Sequence, residues 1–252
     1  MIDCDLNELT AAINRNLDLQ KKLRIDVRRS DLQLKNSIAN LSHDLRTPLT
    51  SILGYLQLSR NPQCPADKRG EYLKIVSDKA NALKSMINSL YELSVLDVKE
   101  MPLKKEKLDL NLTTADVLAG QYELFQKFGI ELQVSLPGHP IWILGDRLAC
   151  IRIIQNLLNN AARYAKRNAE LSLESSGSYA ILSIRNPAPN LTQEDTEHLF
   201  ERFYTADKSR NSSGSGLGLS IVKTLLAKMD GKITNVLLAD QILCIKVGFR
   251  LE

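Results

Sequence analysis

A chain of 252 residues that is 44% hydrophobic can build one large core or two ordinary ones. Its formal net charge of +4 gives no case for a nucleic-acid partner, and the basic runs Lys21-Lys22-Leu23-Arg24 and Arg28-Arg29 read as a solvated helical face. Four scattered cysteines (Cys4, Cys64, Cys150, Cys244) and three histidines exclude a disulfide framework and a Cys/His metal centre, and fit a reducing, cytoplasmic compartment. No apolar run approaches the ~20 residues that span a bilayer, and the first residues do not read as a signal peptide.

Residues 5 to about 60 are predicted to form a nearly unbroken helix, because Leu6, Leu9, Ile13, Leu17, Val27, Leu34, Ile38, Leu41, Leu45, Ile52 and Leu56 recur at helical steps. Asn61-Pro62-Gln63-Cys64-Pro65 stops it, and a second helix follows over residues 66–98 with a stripe of Tyr72, Val76, Leu83, Met86, Leu90 and Leu93. Two amphipathic helices with a short connection make an antiparallel hairpin. One hairpin cannot cover both stripes, so a dimeric four-helix bundle is expected.

The texture changes after Met101-Pro102. Strands are expected at residues 108–110, 130–134, 141–144, 170–174, 180–185, 231–236 and 242–250. Helices are expected at 113–127, 146–166, 193–200 and 217–229, with a polar Gly/Ser-rich loop over 205–215. This order predicts a two-layer α/β sandwich domain after the helical hairpin.

Three stretches carry chemistry. The first is Ser42-His43-Asp44-Leu45-Arg46-Thr47-Pro48-Leu49. Ile38, Leu41, Leu45, Leu49 and Ile52 define one helical face, and His43 points roughly away from it. An exposed histidine with a carboxylate beside it (Asp44) and a hydroxyl one turn on (Thr47) is a candidate phosphoryl acceptor; a plain surface histidine is the simpler alternative. Pro48 deprives the Asp44 carbonyl of its helical donor, so a bend is expected beside the histidine.

The second stretch is Asn156-Leu157-Leu158-Asn159-Asn160-Ala161-Ala162-Arg163-Tyr164. Asn156, Asn160, Arg163 and Tyr164 share one side, opposite Ile154, Leu157, Leu158 and Ala161. Asparagine is a mediocre helix former. Either the side is a solvated face, or the amide oxygens and Arg163 serve a magnesium and phosphate site. The third is Gly214-Ser215-Gly216-Leu217-Gly218-Leu219, opening a helix whose N-terminus can receive phosphate. Lys208 and Arg210 in the loop before it are positioned to close as a lid; a flexible linker with incidental charges is the alternative.

Together these stretches resemble the boxes of a bacterial two-component sensor histidine kinase. Residues 42–49 match the phosphoacceptor box, 156–164 the asparagine box, Leu199-Phe200-Glu201-Arg202-Phe203-Tyr204 the phenylalanine box, and 214–219 the second glycine box. The resemblance implies a signalling coiled-coil linker over 1–30, a dimerisation and histidine-phosphotransfer domain over 31–101, and a Bergerat-type ATP-binding domain over 104–252. It implies that His43 attacks the γ-phosphate of ATP while Asp44 orients the imidazole and accepts its proton. Asn160 would ligate Mg²⁺, with Asn156 and Arg163 near the phosphates and Tyr164 against the base. Lys208, Arg210, Gly214, Gly216, Leu217 and Gly218 would surround the phosphates. The implied partners are a second copy and the receiver domain of a response regulator; Thr47 would help water attack the phosphorylated regulator. The chain would be the cytoplasmic part of a longer kinase, with a membrane sensor region upstream.

One box departs from the pattern. The family's first glycine box is typically Asp-x-Gly-x-Gly, and the matching stretch here is Asn186-Pro187-Ala188-Pro189-Asn190. The family's aspartate accepts from the adenine amino group. Asn186 can accept without charge, at an expected loss of about 1 kcal/mol, and the prolines should stiffen a turn there. The family also often has arginine where this chain has Thr205. Two readings follow: an active ATP-dependent kinase with an altered base pocket, or a catalytically weak dimeric scaffold or phosphatase module.

Overall fold

The computed structural model describes residues 44–97, 103–206 and 216–252, together with 20, 21, 24 and 42. His43, Lys208, Arg210, Gly214 and nearly all of the expected helix before residue 42 lie outside the described residues.

Helix α1 is described over residues 44–59 and runs on through Pro48. It ends where Arg60 N–H and Asn61 N–H make the last turn's bonds to Leu56 and Leu58. The Asn61 side chain then accepts from Gln63 N–H at 3.0 Å, an Asx turn that reverses the chain ahead of Pro65. Helix α2, Ala66–Asp97, returns alongside it. Tyr55 and Tyr72 stack across the hairpin, 5.5 Å between ring centres. The expected α2 stripe lies inward: Tyr72, Val76, Leu83, Met86 and Leu90 are half-buried and Leu93 is buried. Leu49 departs from its expected face. It is exposed along with Leu53, Leu58, Leu73, Ile87 and Tyr91, so the hairpin keeps apolar surface outside its own seam.

The second unit contains two sheets. A two-stranded antiparallel sheet pairs β1 (Glu106–Asp109) with β3 (Trp142–Gly145). The main sheet has the order β2-β4-β5-β7-β6, from β2 (Glu131–Ser135), β4 (Asn168–Ser176), β5 (Tyr179–Pro187), β6 (Lys232–Ala239) and β7 (Ile242–Arg250). Only the β2–β4 pair is parallel. Helices α3 (Leu110–Phe128), α4 (Arg147–Tyr164) and α6 (Gly218–Lys228) form the second layer, and α5 (Gln193–His198) precedes the phenylalanine-rich segment. The two-layer architecture is therefore the one the strand and helix order predicts.

Local chemistry fixes the element ends. Asp109 does not continue a strand into Leu110. Its carboxylate caps α3 by accepting from Asn111 N–H (2.9 Å) and also accepts from Ile141 N–H (3.1 Å), so the helix starts three residues before its expected position. Asp146 caps α4 through Ala149 N–H (2.9 Å), and its other oxygen accepts from Lys104 N–H (3.0 Å), which ties the linker to the helix start. Gly129 closes α3 at φ 64°, a left-handed position glycine adopts without cost. The core between the layers comprises Ile153, Ile154, Leu157, Leu158 and Ala161 of α4 against Leu171, Leu182, Ile184, Ile245 and Val247 of the sheet.

Candidate functional site

Helix α4 carries the polar side its sequence predicts. Ile154, Leu157, Leu158 and Ala161 are buried, Asn156 and Asn160 half-buried, and Arg163 and Tyr164 exposed. The Asn156 Nδ2 donates to the carbonyl of Arg152 one turn back, at 2.9 Å. That bond leaves Oδ1 pointing at the start of α6: a methyl group added at Gly218 would lie 3.0 Å from it. The asparagine helix and the glycine turn are thus in contact, although 62 positions apart in the chain by their numbers, 156 and 218. The Asn160 carboxamide, one turn on and on the same side, makes no side-chain hydrogen bond among the described residues and is available to a ligand.

The turn before α6 is built for close approach. Gly216 sits at φ 63°, and a Cβ there would fall 2.6 Å from the Phe203 carbonyl carbon. The Gly216 carbonyl accepts from Phe203 N–H at 3.0 Å, so the second glycine box and the phenylalanine box share a backbone contact. Leu217 is fully buried and anchors the turn. Helices α3 and α4 each have an aspartate cap, whereas α6 has no side-chain cap at its start. Its first N–H groups remain available to an anion.

The phenylalanine segment is held from below. Thr192 and Asp195 form a capping box at α5, in which the hydroxyl accepts from Asp195 N–H (3.2 Å) and the carboxylate from Thr192 N–H (2.7 Å). Asp195 also accepts from the Tyr204 hydroxyl. Burial and then this bond push the Tyr204 phenol above its ordinary range. His198 Nδ1 meets Glu201 Oε1 at 3.0 Å, and its ring packs on Tyr204. The sequence reading missed these partners, though the Thr-x-x-Asp spacing was a usable signal for one of them.

Asn186 occupies an unexpected setting. It is not in a turn. It lies within β5, paired with Leu243, and Pro187 closes the strand opposite Ile242. Proline is tolerated at a strand end, where its missing N–H costs nothing. Asn186 alternates onto the same face as Leu182 and Ile184 and is 4% exposed. Its Nδ2 donates to the Pro187 carbonyl at 3.1 Å. Asn186 and Pro187 thus end the strand, and the expected turn comes later in the stretch, at Pro189-Asn190, where Leu191 N–H donates to the Ala188 carbonyl at 3.1 Å.

On the hairpin, Thr47 is exposed, as its place on the helix predicts, and Asp44 is half-buried. The Thr47 carbonyl accepts from Ser51 Oγ at 3.1 Å. Among the described residues no three His, Cys, Asp or Glu side chains gather as a metal site. Burial and then the nearby Asp146 push the Cys150 thiol up to about 12, which removes it as a nucleophile.

The described residues thus form a two-helix hairpin followed by a sandwich in which an asparagine-bearing helix meets a glycine turn. Comparison with known proteins agrees. Residues 33–98 match the family described as "His Kinase A (phospho-acceptor) domain". Residues 145–242 match "Histidine kinase-, DNA gyrase B-, and HSP90-like ATPase". The chain is 31% identical over 237 residues to sensor histidine kinase YcbM of Bacillus subtilis (strain 168), covering 92% of this chain and 76% of that relative. It is 27% identical over 237 residues to sensor protein VanS of Enterococcus faecium, covering 92% of this chain and 61% of that one. The chain thus spans three-quarters of the first relative's length and less than two thirds of the second's. In fold it is similar to the solved structure of histidine kinase ThkA in complex with the response regulator protein TrrA, with TM-score 0.70, 20% identity, and coverage of 85% of this chain and 60% of that one. The chain belongs to the sensor histidine kinase family and forms a protein histidine kinase core.

Proposed function

We propose that this core phosphorylates its own His43 from ATP and passes the phosphoryl group to an aspartate of a response-regulator receiver domain. The observation that carries the reading is the contact between Asn156 and Gly218 at the uncapped start of α6. It supports the reading because one amide oxygen, suited to a cation, lies beside the uncapped backbone N–H groups that start α6, which donate to phosphate. Asn156, Gly216, Leu217, Gly218 and Arg163 then hold phosphates, Tyr164 borders the base, and Lys208, Arg210 and Gly214 complete the loop over the nucleotide.

A magnesium ion fits this donor set. With no cluster of acidic side chains among the described residues, the protein supplies the Asn160 amide oxygen, and phosphate and water oxygens supply the rest. Such an ion would neutralise charge building on the phosphates. In the reaction an unprotonated nitrogen of His43 attacks the γ-phosphorus. The bond from γ-phosphorus to the bridging oxygen breaks, and ADP leaves with that electron pair. Asp44 orients the imidazole and takes the proton from its other nitrogen.

The exposed apolar residues of the hairpin, Leu49, Leu53, Ile87 and Tyr91 among them, support pairing with a second copy. A phosphatase activity is part of the proposal, with Thr47 helping water remove the phosphoryl group from a bound regulator; its exposure supports this role. The division proposed is a linker over 1–30, a phosphotransfer unit over 31–101 and an ATP-binding unit over 104–252, with a membrane sensor region upstream and the core in the cytoplasm. No helix among the described residues is long and apolar enough to cross a membrane. The test of the nucleotide site is Asn160→Ala. Magnesium-dependent ATP binding should weaken by tenfold or more, on the order of 1.4 kcal/mol, and unchanged binding would contradict the assignment.

A further inference from the structure

The polar side of α4 does not end at Asn156. Arg152 lies one turn earlier on the same side, so Arg152, Asn156, Asn160 and Arg163 follow one another at helical spacing. The Arg152 side chain is 56% exposed, and its Nε stands 3.4 Å from Oε1 of Glu92, near the end of α2. That distance is longer than a charge-assisted hydrogen bond. The guanidinium donates no hydrogen bond to any other side chain or carbonyl among the described residues. Arg152 therefore meets the hairpin through a solvent-screened ion pair and keeps its planar fork of donors for another partner.

The nucleotide site has a direction along this helix. In the reading above, Tyr164 borders the base and Asn160 takes the magnesium ion, while Asn156 meets Gly218 at the uncapped start of α6. Passing from Tyr164 back to Asn156 is then passing from the base towards the terminal phosphate. One further turn, about 6 Å along the axis, brings Arg152. The hairpin is met at the same end. Leu93 of α2 is buried with α4 and α6, and Glu92 beside it pairs with Arg152. Arg152 thus lies at the hairpin end of the phosphate row, and α1 of that hairpin begins next to His43.

We propose that Arg152 reads the terminal phosphate: its guanidinium leaves Glu92 for the γ-phosphate oxygens of ATP and balances the charge of the phosphoryl group in transfer to the hairpin. This rests on the nucleotide-site reading above. A guanidinium fork matches two phosphate oxygens at once, and ADP ends one phosphate short of it. In the transfer the γ-phosphorus gains a bond to the His43 nitrogen and loses its bond to the bridging oxygen, whose electron pair stays on ADP. Arg152 remains protonated throughout and supplies charge only. Glu92 is a positioning residue. It holds the guanidinium when no nucleotide is bound and competes with the γ-phosphate for it. The pair is part-exposed and has no hydrogen bond, so a phosphate can displace it. Glu92 therefore weakens binding of ATP and leaves ADP alone.

The test is calorimetric titration of the whole chain, with magnesium, by ADP and by the β,γ-imido analogue of ATP, for wild type, Arg152→Gln, Arg152→Lys and Glu92→Gln. Arg152→Gln should bind the analogue about tenfold more weakly than wild type and ADP within about twofold of it. Arg152→Lys keeps the charge without the fork and should fall between the two. Glu92→Gln should bind the analogue about two- to fivefold more tightly, again with ADP unchanged. A structural defect in α4 would instead weaken both nucleotides together, so equal losses for ADP and the analogue in Arg152→Gln overturn the proposal. So does analogue binding by Arg152→Gln as tight as wild type's. Either result leaves the nucleotide site intact, whereas absence of ADP binding by wild type overturns that site and the proposal with it. If Arg152→Gln does not fold, a wild-type ratio of the two affinities in both Arg152→Lys and Glu92→Gln overturns the proposal.

Discussion

His198 shows how single residues tune the phenylalanine segment. Its hydrogen bond to Glu201 comes first in holding the imidazole above the ordinary histidine value; partial burial opposes this, and the charges of Glu201, Glu197 and Glu194 add to the rise. A pKa raised on folding stabilises the protein fully below the unfolded value near 6.5 and loses that contribution as the pH rises through the folded value. Glu201→Gln should therefore shift the His198 titration downwards, read by the ring proton resonances in NMR. Wild type should exceed the variant in melting temperature at pH 6 and not at pH 9. A His198 titration unchanged by the substitution would contradict the role given to Glu201. Asn186 teaches the complementary lesson. Its identity was legible as a departure from the family, but its partner was not, because a bond from a side chain to the next residue's carbonyl depends on a rotamer that sequence does not encode.

At the scale of elements, the strongest sequence signals were the periodic ones. The alternation of Asn156 and Asn160 against Leu157 and Leu158 predicted both the helix and its buried side, and α4 carries them as expected. Failures cluster where capping or turn chemistry competes with pattern. Leu110 reads as part of a strand until the Asp109 carboxylate is seen capping α3 ahead of it. The strand β6 runs three residues past its expected end because Asp240 and Gln241, at φ 50° and 61°, make a tight hairpin turn without glycine. The contact of Gly216 with Phe203 was invisible for a different reason: it is made by backbone, across a loop. Its consequence is testable. Gly216→Ala would force a Cβ into the Phe203 backbone at a left-handed φ. We expect the variant to keep its sheet by circular dichroism, to lose ATP binding by tenfold or more, roughly 1.4 kcal/mol, and to expose the segment around Phe203 to proteolysis. Wild-type binding and protection would contradict the arrangement.

At the scale of the whole molecule, the hairpin and the sandwich are not merely tethered. Leu93 near the end of α2 is 3% exposed and belongs to the same buried cluster as α4 and α6, with Leu90 and Leu96 packed against that cluster. Beside it, Glu92 pairs with Arg152 of α4 at 3.4 Å, across a partly exposed surface. Arg152 is also the residue whose carbonyl holds Asn156. The two contacts should differ in weight. Leu93→Ala should cost about 2 kcal/mol or more in urea unfolding, as buried leucine truncations do. Arg152→Ala should cost under about 1 kcal/mol, since a part-exposed ion pair is screened by solvent. The reverse ranking would show that charge rather than apolar burial joins the units.

The central claim is that His43 accepts the γ-phosphoryl group of ATP, and one measurement addresses it most directly. Wild type and His43→Ala are incubated with γ-labelled ATP and magnesium, and acid-labile label on the protein is counted. The account predicts label on wild type and its loss to background in His43→Ala, with circular dichroism and ADP binding unchanged. Equal labelling of the two proteins, or no label on a wild-type chain that binds ATP, would contradict it.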